Sequence, residues 1–125
     1  MKKLYLIIIS IIFLSFTNIY IPTGSMTTDK QIIYYSIQNK NGFGGYDIYK
    51  SERLANGDWG HSENLGNMIN TPYDEINPII DKDNATLYFN IIKNGDTLNC
   101  NATLSDEGFW RDVEITFKGN TLTNL

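Results

Sequence analysis

Residues 46–59 read Tyr-Asp-Ile-Tyr-Lys-Ser-Glu-Arg-Leu-Ala-Asn-Gly-Asp-Trp, and this stretch decides the fold class. Tyr46 to Ser51 alternates side-chain character in the two-residue period of a half-buried strand. Asn56-Gly57-Asp58 is a tight-turn signal, because Asn and Gly accept the positive φ that such turns need. Trp59 then opens a further extended piece running into Asn64-Leu65-Gly66. Strand, Gly-containing turn, Trp is a hairpin grammar, not a helical one.

The same grammar continues on both sides. Ile32 to Ile37 is β-branched and aromatic, and Asn39 to Gly45 is a turn region. Ile76 to Ile80, Thr86 to Ile92, Thr97 to Leu104 and Trp110 to Phe117 read as strands. Asp81 to Asn84, Asn94 to Asp96 and Asp106 to Gly108 separate them as turns. No helical periodicity follows the N-terminal segment. The runs repeat: Tyr34-Tyr35-Ser36 corresponds to Tyr88-Phe89-Asn90 at a shift of 54 residues. Asn56-Gly57-Asp58-Trp59 corresponds to Glu107-Gly108-Phe109-Trp110 at a shift of 51. A period near 50 with several strands per unit is that of propeller blades. The expected fold is all-β: about two antiparallel four-stranded blades, an incomplete propeller, at about 30–66 and 75–117. The second copy has room for four strands, and the first lacks an evident opening strand.

The N-terminus is of another kind. Lys2 and Lys3 precede an apolar run from Leu4 to Phe16, the pattern of an export signal. Read on to Ile21, the run approaches the ~20 residues of a membrane-spanning helix. Residues 1–25 are therefore a signal peptide or a membrane anchor helix, with Thr23, Gly24 and Ser25 as small residues at a cleavage point. Residues 22–30 read as a polar spacer, and residues 26–125 as the partial propeller. Export places the chain in the periplasm or at the outer membrane or cell surface, touching a membrane only through an uncleaved N-terminal segment.

Composition narrows the function. The 125 residues carry 14 acidic and 10 basic side chains and a net charge of −4. The basic residues are scattered, so the basic stripe of a nucleic-acid binder is missing. Cys100 is the one cysteine, which excludes an internal disulfide and a multi-cysteine metal site and reads as a small apolar strand residue. His61 is the one histidine and has no Ser or Cys at motif spacing to activate. Asp74-Glu75 is an adjacent carboxylate pair, but neighbours on an extended chain point to opposite sides, which suits glycoside hydrolysis badly. Asp81-Lys82-Asp83-Asn84 lacks the Gly and the distal Glu of a calcium loop and reads as a turn. Ser105 to Trp110 has the wrong spacing for an Asp-box turn. Trp59 and Trp110 recur at the repeat period, which is a packing pattern. No cofactor, metal or catalytic residue is expected.

Several motifs together resemble a known family. Gly44-Gly45-Tyr46-Asp47-Ile48-Tyr49, Gly57-Asp58-Trp59-Gly60, Asn64-Leu65-Gly66, Ile69-Asn70-Thr71, Asp74-Glu75, Pro78 and Thr86-Leu87-Tyr88-Phe89 resemble the WD-like β-propeller repeat of TolB-type proteins. The likeness is to bacterial envelope members that often carry a peptidoglycan-binding domain related to outer membrane protein A. It covers about Ile32 to Phe89. Beyond that, Asn94-Gly95-Asp96-Thr97-Leu98-Asn99 stands where a second Gly-Gly-Tyr-Asp-Ile-Tyr is expected, and no second Asn-Leu-Gly follows Trp110. The peptidoglycan-binding domain is not in this sequence, and its function does not carry over. The resemblance implies structural roles for Gly44, Gly45, Asp47, Tyr49, Asn64, Leu65, Gly66, Asn70, Thr71, Glu75 and Pro78, with Asp47 hydrogen-bonding inside the blade.

A closed propeller needs at least four blades. Fewer than two full ones imply a truncated product, a module that assembles with its own copies, or an open sheet with sticky edges. The expected function is a non-catalytic envelope binding or scaffold module. Its partner would be another envelope protein, a second copy or, as a lesser possibility, a glycan. Binding would fall on the loops Asn39 to Gly45, Asn64 to Tyr73 and Asn94 to Asp96, with Tyr46, Trp59 and Tyr73 as aromatics near turns. The alternative is a fragment of a sialidase-like, glycoside-acting propeller enzyme.

Overall fold

A computed structural model describes residues 24–117 and 120–122. Among the described residues, nine strands form two antiparallel sheets in chain order. The N-terminal sheet has four strands: β1 (Gly24–Met26), β2 (Ile32–Gln38), β3 (Tyr46–Glu52) and β4 (Glu63–Asn64). The C-terminal sheet has five: β5 (Asp74–Ile80), β6 (Thr86–Lys93), β7 (Asp96–Leu104), β8 (Trp110–Phe117) and β9 (Asn120–Leu122). Each strand pairs with its sequence neighbour, so every connection is a hairpin or a short loop except the one that passes from β4 to β5. Among the described residues there is no helix, and so none long and apolar enough to cross a membrane. The apolar segment from Leu4 to Phe16 lies outside the described residues.

Two expectations change. Residues 22–30 read as a spacer, but Gly24–Met26 is the opening strand of the first sheet, paired with Ile33 to Tyr35. Small polar residues hid it: Gly24 and Ser25 have low strand propensity. Tertiary contact holds it instead, since the Ile80 amide donates to Ser25 Oγ at 3.1 Å. The pattern also continues past Phe117, where β9 adds a short edge strand to β8.

The sheets stack face to face, β5 lying against β1, β2 and β3. Cross-strand partners share a face, so the register assigns each side chain. Tyr34 and Ser36 of β2, with Ile48 of β3, point at the C-terminal sheet. Leu87, Phe89 and Ile91 of β6, Cys100 and Ala102 of β7, and Trp110 and Ile115 of β8 meet them, together with Ile80 and Ile69. Cys100 is buried there as a small apolar group, and burial pushes its thiol up to about 11. The Tyr34 and Trp110 rings meet edge to face, centroids 5.8 Å apart.

The two sheets share local geometry. In the β1–β2 turn the Lys30 amide donates to Thr27 O, and in the β5–β6 turn the Asn84 amide donates to Asp81 O. Lys30 and Asn84 hold φ near +59° and +56°. In the β3–β4 connection the Gly57 amide donates to Leu54 O, and in the β7–β8 turn the Gly108 amide donates to Ser105 O. Gly57 and Gly108 sit at φ +90° and +87°, a region a side chain rarely enters. The sheets differ in the fourth strand. β8 is eight residues long, whereas β4 is two, with one further bridge from Arg53 to Trp59.

Candidate functional site

Strand directions divide the loops between two ends. β2 runs toward 39–45, β5 starts beside that loop, and β6 runs toward 94–95. The loops 39–45, 65–73 and 94–95 therefore share one end. The turns at 27–31, 81–85 and 105–109 and the β3–β4 connection at 53–62 share the other. Tyr46 and Tyr73 are brought together at the first end, where the Gly45 amide donates to Tyr73 O at 3.3 Å and the Tyr46 amide to Asp74 Oδ1 at 2.9 Å. Trp59 lies at the opposite end, with the Arg53 guanidinium 4.4 Å from its ring centroid.

A buried polar network stiffens the first end. Asp47, fully buried, accepts from the Phe43 amide at 2.6 Å, the Gly44 amide at 3.2 Å and Asn64 Nδ2 at 3.1 Å. Asn64 Oδ1 in turn accepts from Asn70 Nδ2 at 2.8 Å and the Gly66 amide at 2.8 Å. Asn70 receives the Ile48 amide on Oδ1 at 2.7 Å and donates Nδ2 to Ile48 O at 2.9 Å. Its side chain thus takes the place of a strand partner beside β3, just where the short β4 has ended. The Leu65 amide donates to the same Ile48 carbonyl. Gly66, at φ +81°, turns the chain so that its carbonyl accepts from the Ile69 and Asn70 amides.

The second part of the network joins the sheets. Glu75 is fully buried and accepts from the Thr71 amide at 3.0 Å and from the Thr71 hydroxyl. Ser36 Oγ donates to Glu75 O across the sheet interface at 2.5 Å. Burial lifts the Glu75 carboxyl to about 7. The Thr71 hydrogen bonds work against that rise, and the nearby Asp47 and Asp74 charges add to it. No buried side-chain nitrogen or oxygen among the described residues is left without a partner. Gly44 passes so close to the 71–73 backbone that a Cβ there would lie 2.5 Å from Thr71 O and 2.8 Å from Pro72 C. Pro78 is fully buried where β5 bulges between Ile76 and Ile79. Tyr49 is buried on the same face of β3 as Asp47, the face turned away from the C-terminal sheet, and pairs with Asn64. Gly44, Gly45, Asp47, Asn64, Leu65, Gly66, Asn70, Thr71 and Glu75 therefore form one hydrogen-bonded or close-packed unit.

What the network leaves exposed is the surface above it. Phe43 and Met68, on the 39–45 and 65–73 loops, are about half exposed. Lys93 Nζ lies 5.1 Å from the Tyr73 ring centroid. A depression of about 390 Å³ opens beside Gln38, Asn39, Lys40 and Gly44. Phe43 and Met68 do not figure in the sequence reading, although an apolar residue inside a polar turn run was the available signal. The Asp74 and Glu75 carboxylates are both occupied by amide donors. Among the described residues no three His, Cys, Asp or Glu side chains cluster to hold a metal ion. The Asp81–Asn84 segment is a turn whose Asp83 carboxylate accepts from the Ala85 and Thr86 amides. His61 is exposed beside Gly60. No family model, curated protein or solved structure matches this chain.

Proposed function

We propose that the chain is a non-catalytic binding module of the bacterial cell envelope, built of TolB-type propeller blades, which engages another envelope protein through its 39–45, 65–73 and 94–95 loops. The observation that carries this reading is the buried Asp47–Asn64–Asn70 network under exposed Phe43 and Met68. Fully bonded buried polar groups fix a backbone. A fixed backbone that displays apolar side chains forfeits little entropy when it binds. The matched turn bonds at 27–30 and 81–84, and at 54–57 and 105–108, support two copies of one blade unit. The export-type N-terminus supports the envelope location.

The test is a photo-crosslinking amino acid placed at Phe43, Met68 and, as a control on the opposite end, Asp106 of the full chain in cells. The expected result is an adduct with one envelope protein from the first two positions, lost when the remaining apolar partner of the pair is changed to Ser. Equal adducts from all three positions, or none, sink the reading. Glycosidase turnover that disappears in Glu75→Gln would replace it with the enzyme alternative.

A further inference from the structure

We propose that the outer face of the C-terminal sheet binds a neutral glycan, with a pyranose ring stacked on Tyr88 and its hydroxyls held by the amides of Asn77, Asn90 and Asn99. This site is separate from the 39–45, 65–73 and 94–95 loops and stands whether or not a protein binds there.

The register places these side chains. Tyr88 pairs with Ile79 and Asn101, and Asn90 with Ile76 and Asn99. Leu87, Phe89 and Ile91 point into the core, so Tyr88 and Asn90 between them point outward. Asn77 joins the row through the bulge of β5 between Ile76 and Ile79. It takes φ +54° there, a value that Asn adopts more readily than most residues. Bulges re-aim side chains. Pro78 is fully buried, while Asn77 stays exposed and donates Nδ2 to Asn90 Oδ1 at 3.2 Å. Asn90 Nδ2 donates in turn to Asn99 Oδ1 at 2.8 Å. The three amides thus form a row across β5, β6 and β7, about 10 Å long at two inter-strand spacings.

These bonds orient the amides and leave most of their capacity unused. Asn77 Oδ1 and Asn99 Nδ2 have no partner among the described residues, so the row offers an acceptor at one end and donors at the other. Apolar surface stands beside it, with Tyr88 45% exposed and Ile79 57%. A depression of about 200 Å³ opens between these groups and Thr116, and no charged side chain lines it. Glu114 and Arg111 lie further along β8, opposite Asn101 and Thr103.

That inventory selects the ligand. An ion finds no counter-charge in the depression. A further apolar sheet fits badly, because Asn90 pairs with Asn99 as Ser36 pairs with Ile48 on the packed face. Covering Asn99 with apolar side chains would strand its donors. A pyranose ring satisfies both parts of the face. The C–H groups on one side of the ring lie on the negative π-face of tyrosine. Its hydroxyls donate and accept, as the amides do.

The full chain, held in a sugar-free mild detergent, is titrated with cellohexaose, maltohexaose and chitohexaose by calorimetry. Wild type is expected to bind at least one of them with a Kd of about 1 mM or tighter. Tyr88→Ala is expected to weaken that binding about tenfold, and Tyr88→Phe, which keeps the ring, to preserve it. Asn99→Ala is expected to weaken it by about two- to tenfold, the worth of one hydrogen bond. Phe43→Ser, on the loop end, is expected to bind as wild type does. Circular dichroism confirms that each variant keeps its β-sheet signal. Failure of all three sugars to bind, or binding that ignores both Tyr88→Ala and Asn99→Ala, overturns the proposal. So does a solution mass above one chain that Tyr88→Ala reduces, since a second copy then covers this face.

Discussion

Asn70 shows how one side chain can stand in for a strand. Its amide group exchanges two hydrogen bonds with the Ile48 backbone, so the β3 edge is satisfied where β4 has already turned away. Glu75 has a different character, because its burial ties stability to pH. Its carboxyl is lifted to about 7 against 4.5 in a solvated reference. The folded chain therefore binds the proton more tightly than the unfolded chain, and the Glu75 contribution is fully present below about pH 4.5. It is lost as pH rises through about 7. The loss is on the order of 3 kcal/mol, from about 1.4 kcal/mol per unit. Glu75→Gln keeps an acceptor for the Thr71 amide and removes the titration. Thermal melts from pH 5 to 8 are expected to show a falling midpoint for wild type and a flatter one for the variant. Parallel curves would refute the assignment. Only a resemblance to a repeat family singled out Asp47, Asn70 and Glu75, and it did not say that Asn70 would pair with the Ile48 backbone on another element.

At the scale of elements, the contact between the 39–45 and 71–73 loops holds the end of one sheet against the start of the next. Gly44 permits it: a Cβ would meet backbone atoms, which cannot swing aside. Gly44→Ala is expected to destabilise the chain by about 1–3 kcal/mol, the usual cost of overpacking. The check is chemical denaturation. A variant as stable as wild type would show that the loops separate freely. Strands β2, β3, β6, β7 and β8 were legible in the sequence, because alternating β-branched and aromatic residues between Gly and Asn turns have one reading. β1 was not, since its Gly-Ser-Met carries no strand signal and is held by β2 and by Ile80.

For the whole molecule, the two sheets share one core. Ile48 of the first is fully buried against side chains of the second. Ile48→Ala is expected to cost about 2–5 kcal/mol through lost burial and a residual cavity, and both sheets should lose stability together. The two tryptophans allow the check, one in each sheet. Trp59→Phe and Trp110→Phe variants of the Ile48→Ala chain report the C-terminal and N-terminal sheet respectively by fluorescence. Coincident unfolding midpoints are expected, and separated ones would mean that the sheets unfold independently.

The sequence by itself determined the all-β class and the positions of strands β2, β3, β6, β7 and β8 with the turns between them. These follow from local rules, a two-residue period and turn residues that accept positive φ. The tertiary structure alone decided that Trp59 lies at the opposite end from Tyr46 and Tyr73, that Phe43 and Met68 are exposed, and that Gly24–Met26 is a strand. Direction and exposure depend on which sheet packs on which face. That is set by contacts between residues some 50 positions apart, such as Ser25 with Ile80, which no local pattern encodes.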